Sequence, residues 1–229
     1  MYNTPQKLVA EFIGTFALIF FGAGSICADQ FLRSSGQGGL GLLGIALAHG
    51  LAIGIMVTSL GHISGGHFNP AITIGFWVTR KISTFNALAY WVAQLAGATA
   101  AAYLLRLLPA DIWAPVQLGT PQLASGITRT NGMLFEGIMT FFLVFVVFAT
   151  AGDARGAFNK IAGFAIGLTI TMGALFGGPF TGAALNPARA FGPALAANHW
   201  TNHGVYWIGP LAGGVAAGWL YNTLFLTKE

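Results

Sequence analysis

A chain of 229 residues that is 55% hydrophobic and only 7% charged, with a mean hydropathy of +0.70, is too apolar for an ordinary soluble domain, where roughly a quarter of residues carry charge. The net charge of +4 does not point to nucleic acid, because the basic residues fall at the ends of apolar runs and sort by membrane side. A single cysteine, Cys27, excludes an internal disulfide, and no cysteine and histidine spacing resembles a zinc site, so neither metal nor cofactor is expected.

The first apolar run covers residues 8 to 28. It carries Glu11 and is followed by no small-residue cleavage site, so it reads as a retained helix and not as a signal peptide. The second run, 40 to 60, contains His49. Residues 61 to 68 are rich in glycine and small polar residues and read as a loop, leading into Asn69, Pro70 and Ala71 and then about eight apolar residues. A third run covers 86 to 105, an external connection 107 to 131, and a fourth run 132 to 151 carries Glu136. The fifth, 160 to 178, is followed by a second irregular stretch, 179 to 185, then Asn186, Pro187 and Ala188, and a sixth run at 204 to 225. Each of the six is long enough to cross ~30 Å of hydrocarbon as a helix. The segment after each Asn-Pro-Ala triplet reaches only about 13 Å, which makes it a half-helix. Asparagine is a favoured N-cap and proline a favoured first helical residue, so each triplet reads as a helix start.

With a cytoplasmic N-terminus, Lys7, Arg80, Lys81, Arg155, Lys160 and Lys228 lie inside and Arg33, Arg106 and Arg129 outside, with Arg189 at membrane depth. Six against three favours both termini in the cytoplasm.

The chain repeats itself. "AEFIGTFALIF" (10 to 20) answers "FEGIMTFFLVF" (135 to 145), "AHGLAI" (48 to 53) answers "AIGLTI" (165 to 170), and "YWVAQLAGATAAAYLL" (90 to 105) answers "YWIGPLAGGVAAGWLY" (206 to 221). The offset drifts from 125 residues (Glu11 to Glu136) to 116 (Tyr90 to Tyr206). Three spans per half is an odd number, so the second half enters the membrane from the opposite side. The expected fold is therefore an all-α membrane protein of six transmembrane helices and two re-entrant half-helices, built as inverted three-helix repeats. It forms one channel domain over 1–229, with repeats at 8–106 and 132–226. In such folds the site lies near the midplane, at broken helices contributed by both halves.

Opposed half-helices bring two partially positive N-termini together, which disfavours cations. Asn69 and Asn186 can use their carbonyl oxygens as caps while their amide hydrogens remain free to donate, turning a passing water and interrupting proton hopping. Gly65, Gly66, His67 and Phe68, with Gly182, Ala183, Ala184 and Leu185, can offer backbone carbonyls as a ladder of acceptors, since irregular backbone is tolerated where it lines water. Glu11 and Glu136, being equivalent in the repeat, are expected to accept hydrogen bonds from the re-entrant loop amides and not to carry protons. Gly97 with Ala93 and Ala101, and Gly209, Gly213 and Gly214 with Gly218, allow close helix approach. Tyr90, Trp91, Tyr206 and Trp207 read as interface anchors or packing residues.

"SGGHFNPAITIG" and "NPARAFGP" resemble the two signature loops of the aquaporin (major intrinsic protein) family, and the duplication covers nearly the whole chain. "GPFTGAALNPARAFGPALAA" and "WTNHGVYWIGPLAGG" are most similar to the plant tonoplast intrinsic proteins, although the short tails equally suit a microbial channel. The resemblance implies a homotetramer in the lipid bilayer, with one pore per subunit, conducting water and excluding protons and ions. It implies no enzymatic activity and no nucleic-acid partner. The membrane implied is the cell (inner or plasma) membrane, or the vacuolar membrane if the source is a plant.

The family's four-residue selectivity filter aligns with His49, Ala174, Ala183 and Arg189. Strict water channels carry phenylalanine where His49 stands and histidine where Ala174 stands, so a wider constriction is implied, with ammonia as a second solute. A free ring nitrogen of His49 would select the solute and could make its passage depend on pH. Glycerol facilitators carry an aspartate where this chain has Ala190, and the additional external-loop histidine of some ammonia-conducting relatives aligns with Pro121. A strict water channel, and then a glycerol or urea facilitator, are the alternatives. Ala183 stands where mercury-sensitive relatives have cysteine. His62 and His67 read as loop-structuring, and His199 and His203 as outer-surface residues. A proton-coupled transporter would use Glu11 and Glu136 as carriers, and a serine hydrolase would need Ser64 near His62 and His67, but no nucleophile elbow or orienting acid accompanies it.

Overall fold

The computed structural model describes residues 2–153, 155 and 161–226, and all regular structure among the described residues is helical. Lys160 and Lys228, placed inside on sequence grounds, lie outside the described residues.

Helix α1 (Thr4–Ala17) opens with a capping box, in which the Asn3 side chain accepts from the Gln6 amide at 3.0 Å and the Gln6 side chain accepts from the Asn3 amide at 2.9 Å. It continues through a π-turn (Leu18–Ala23) into α2 (Gly24–Ser34), a single span of 31 residues. Helix α3 (Gly41–Ser64) descends to the first re-entrant loop, followed by the short α4 (Pro70–Val78) and then α5 (Thr84–Leu105). The external connection holds α6 (Ala110–Trp113) and a 3-10 turn (Gln117–Gly119). The second half follows with α7 (Arg129–Val147) and its π-turn (Phe148–Gly152), α8 (Ala162–Thr181), the short α9 (Pro187–Ala197) and α10 (Val205–Leu224).

Among the described residues, five helical stretches are long and apolar enough to cross a membrane: 4–34, α3, α5, α7 with its π-turn, and α8. The sixth, α10, has a spanning length of 20 residues, but its glycines, Pro210 and Asn222 make it less apolar. It packs on α7 as its counterpart α5 packs on α1, which gives it the sixth place in the bundle.

The irregular stretches are shorter than 61 to 68 and 179 to 185. Helices α3 and α8 run on to Ser64 and Thr181 and stop where Gly65 (φ 94°) and Gly182 (φ 81°) turn left-handed, leaving only 65–69 and 182–186 outside helices. The glycines and small polar residues of 61–64 and 179–181 suggest loop, yet Ser64 and Thr181 give their hydroxyls to Glu11 and Glu136 while their backbone stays helical. Pro179 likewise stays inside α8, as membrane helices tolerate.

The halves interlock. Helix α5 of the first half packs on α9 of the second, α10 packs on α4, and α3 packs on α8 between the halves. Glycine makes the close approaches possible: between the halves a methyl at Gly192 of α9 would meet the Ala98 backbone and one at Gly218 the Gly75 backbone, and within them one at Gly97 would meet Phe12 O and one at Gly213 Gly137 O. A further such set, Gly50 and Gly54 against Gly163 and Gly167, joins α3 to α8 and carries the same four-residue spacing in the sequence. A Cβ on Gly167 would sit 2.5 Å from Gly50 O, and backbone cannot yield as a side chain can.

The loops sort into two groups. Arg129 donates through Nε to Asn202 Oδ1 at 2.8 Å, joining the loops before α7 and α10 on one side. Arg155 pairs with Asp153 at 2.8 Å and reaches Phe225 O at 2.5 Å, joining the connection before α8 to the end of α10. The Arg155 guanidinium holds the Asp153 carboxyl down at about 2.

Candidate functional site

Both triplets open short helices by the same local chemistry. Asn69 and Asn186 take extended backbone as N-caps, and the prolines occupy the first helical position. Asn69 Oδ1 accepts from Ala71 N at 2.8 Å, and Asn186 Oδ1 accepts from Ala188 N at 2.9 Å and Arg189 N at 3.3 Å. Their amide groups are not wholly free: Asn69 Nδ2 donates to Leu185 O and Asn186 Nδ2 to Phe68 O, each at 2.9 Å. Each asparagine thus ties the opposite loop with one amide hydrogen and keeps one to offer elsewhere. This corrects the expectation of two free donors per residue, because the two loops lie close enough to be stitched together.

The loops need that support. Phe68 (φ 50°), Ala183 (φ 45°) and Leu185 (φ 52°) are non-glycine residues in the left-handed region, where each costs about 1–2 kcal/mol. Glu11 and Glu136, fully buried, over-determine this conformation. Glu11 accepts from Ser64 Oγ (2.7 Å), His67 N (3.0 Å), Phe68 N (2.6 Å) and Gln94 Nε2 (2.7 Å). Glu136 accepts from Thr181 Oγ1 (2.6 Å), Ala184 N (2.9 Å) and Leu185 N (2.8 Å). Ser64, whose hydroxyl also accepts from Gly66 N at 3.1 Å, is thereby committed to the loop.

Tyr90 and Tyr206 are not interface residues. Both are buried and donate to the carbonyls of Ser64 and Thr181 at 2.8 Å, capping the ends of α3 and α8, because the repeat brings each ring beneath its own loop. Trp91 Nε1 donates to Pro70 O at 3.2 Å. Sequence reasoning missed Gln94 and Thr73. Gln94 bridges Glu11 to Thr73 Oγ1 (3.1 Å), and Thr73 meets His67 Nδ1 (3.0 Å). Its repeat equivalent is Pro210, so no periodic signal marked it.

A cavity of about 190 Å³ runs past the two half-helix starts. Asn69, Asn186, His67, Gly182, Ala183, Ala184 and Leu185 border it together with apolar Leu18, Ile53, Ile72, Leu143 and Ile170. Gly65 instead borders a second recess beside Val57, His62 and Gly163. Gly66 and Phe68 border neither; the Phe68 ring fills the space left by Gly14. His49, Ala174, Ala183 and Arg189 also converge on the main cavity. Arg189 donates through Nη1 to Gly119 O at 2.7 Å and through Nη2 to His49 Nε2 at 3.1 Å, with Nε unpartnered. His49 Nδ1 lies 2.9 Å from Ile45 O. A carbonyl can only accept and a guanidinium only donate, so Nδ1 carries the proton, Nε2 accepts, and the ring is neutral. No ring nitrogen is left for a solute or for pH-dependent charging, which corrects that expectation for His49. Gly119 reaches Arg189 because Gln117, Leu118 and Gly119 are all left-handed and fold the external loop inward.

His62 lies in α3, exposed, edge-on to Tyr2 at 5.8 Å. His203 is half-buried, accepts from Trp207 Nε1 at 3.0 Å, and is held by burial below the ordinary histidine range. His199 is also partly covered. Cys27 is buried and does not border the cavity.

The family model of the major intrinsic proteins matches residues 2–221. Among curated relatives, Aquaporin TIP4-4 of Zea mays is 44% identical over 97% of this chain and 88% of its own length. Probable aquaporin TIP3-2 of Arabidopsis thaliana is 44% identical over 98% and 85%. The X-ray structure of the aquaglyceroporin from Plasmodium falciparum superposes with a TM-score of 0.85 at 25% identity, covering 97% of each chain. An all-helical fold with two opposed Asn-Pro-Ala half-helices around one cavity, and these likenesses along its full length, establish that the chain belongs to the major intrinsic protein family, whose aquaporins are membrane channels and not enzymes.

Proposed function

We propose that this chain is a passive water channel that also passes small neutral solutes such as ammonia and excludes protons and ions. The observation that carries this reading is the pair of half-helix N-termini stitched across the cavity by Asn69 and Asn186. Their partial positive charge and remaining amide donors, with the Arg189 guanidinium beyond them, oppose any cation while accepting a water oxygen. Carbonyls of His67, Gly182, Ala183 and Ala184 supply acceptors along the path, and Ala174 and Ala183 leave the constriction wider than a large side chain would. Residues 1–229 act as one channel domain of two repeats, 8–106 and 132–226, assembled as a homotetramer with both termini cytoplasmic. The membrane is the vacuolar one by likeness to tonoplast intrinsic proteins, or the plasma membrane.

A strict water channel is the second reading. It is favoured by one observation: His49 spends both ring nitrogens on Ile45 and Arg189 and offers none to ammonia. Stopped-flow measurements on proteoliposomes decide between them. Faster osmotic shrinkage with faster ammonia-driven alkalinisation than in empty vesicles supports the first reading. Shrinkage alone supports the second, and proton flux matching water flux overturns both.

A further inference from the structure

Gly22 lies in the π-turn of the first span and borders neither of the cavities described above. It is nevertheless packed flat against the filter imidazole. A Cβ built on it would lie 2.7 Å from His49 Cδ2 and 3.0 Å from both Cγ and Nε2. The ring has no slack, since Nδ1 is held by Ile45 O and Nε2 by Arg189. The π-turn that presents Gly22 is itself secured, because Ser25 Oγ donates to Gly22 O at 2.6 Å in the buried core. The repeat supplies an internal comparison. Gly22 and His49 align with Val147 and Ile166, both buried, so the half without a filter imidazole carries a full side chain where the other has none.

We infer that Gly22 is a positioning residue for solute selection: its missing side chain sets how far the His49 ring retreats from the lumen, and through His49 where the Arg189 guanidinium stands. This rests on the reading of His49 and Arg189 as the constriction. Any side chain at position 22 drives the ring toward Arg189 and the lumen by roughly half an ångström to one ångström, the shift needed to restore ordinary contact. A constriction sized for small molecules then closes first to the larger ones.

The test compares wild type, Gly22→Ala, Gly24→Ala, His49→Ala and Gly22→Ala with His49→Ala in proteoliposomes, reading water, ammonia and urea flux per channel. Gly24 belongs to the same stretch but faces the flexible end of Leu105 at 3.3 Å, so its alanine variant should match wild type. Gly22→Ala is expected to lower water and ammonia flux by at least about threefold and the flux of the larger urea by a larger factor. With His49→Ala in the background, Gly22→Ala should change nothing, because the methyl then enters the space the imidazole vacates. If His49→Ala alters solute ratios but Gly22→Ala does not, the inference is wrong. If His49→Ala itself leaves every ratio unchanged, the filter reading fails instead. Should Gly22→Ala not fold alone, the double variant should fold and conduct like His49→Ala; failure of the double variant too would overturn the inference.

Discussion

Replacing Arg189 by valine removes the cationic side chain that borders the cavity at the proposed constriction while leaving both half-helix N-termini in place. The side chain is 2% exposed, so its field is not screened as at a surface. A monovalent cation about 4 Å from the guanidinium, at an effective dielectric constant of about 20, meets roughly 4 kcal/mol of repulsion. At about 1.4 kcal/mol per tenfold change in rate, its loss should raise cation or proton passage by up to ~10³-fold. Water, being neutral, should be affected far less. The assay is acid flux reported by a trapped pH dye beside stopped-flow osmotic shrinkage in the same vesicles. His49→Ala keeps the charge and removes only its acceptor, so it should leak much less than Arg189→Val. An Arg189→Val channel that conducts water yet leaks no more than wild type would refute the electrostatic reasoning, and so would equal leakage in the two variants.

Three further outcomes follow from the same contacts. Glu136→Gln should destabilise the protein by about 3 kcal/mol, since one of its oxygens becomes a donor facing Leu185 N or the Thr181 and Ala184 pair, and a buried amide loses a charged acceptor; a thermal unfolding midpoint in detergent equal to wild type would count against that role. Mercurials should inhibit poorly, because Cys27 is buried away from the cavity and Ala183 carries no thiol; strong block abolished by Cys27→Ser would show another access route. Asp153, held at about 2 by Arg155, is ionised in the folded state well below the ordinary carboxylate range. Its contribution to stability is therefore full above about pH 4 and lost as pH falls through 2. Denaturation of Asp153→Asn should differ from wild type by a constant amount between pH 5 and 8, and a difference that changes across that range would contradict the assignment.

The sequence by itself determined the apolar spans, the inverted duplication, the two Asn-Pro-Ala helix starts and the paired carboxylates. Each of these is written in a local signal: hydropathy over about 20 residues, a cap followed by proline, or a charge repeated at one offset. The helix ends were legible less well, because small polar residues read as loop while Gly65 and Gly182 decide where α3 and α8 stop. Only the tertiary structure decided what those residues do to one another. Asn69 and Leu185 are 116 residues apart, Asn186 and Phe68 are 118, and Arg189 and His49 are 140, and nothing local to either partner states that they meet. The imidazole of His49 could be named from alignment, but not that its two nitrogens would be consumed by Ile45 and Arg189. Nor could the sequence show that Gly119 would turn inward or that Gln94 would have no equivalent across the repeat. Such contacts depend on helices that approach closely only where glycine permits, and the distance between two backbones is a property of the packed bundle, not of either segment alone.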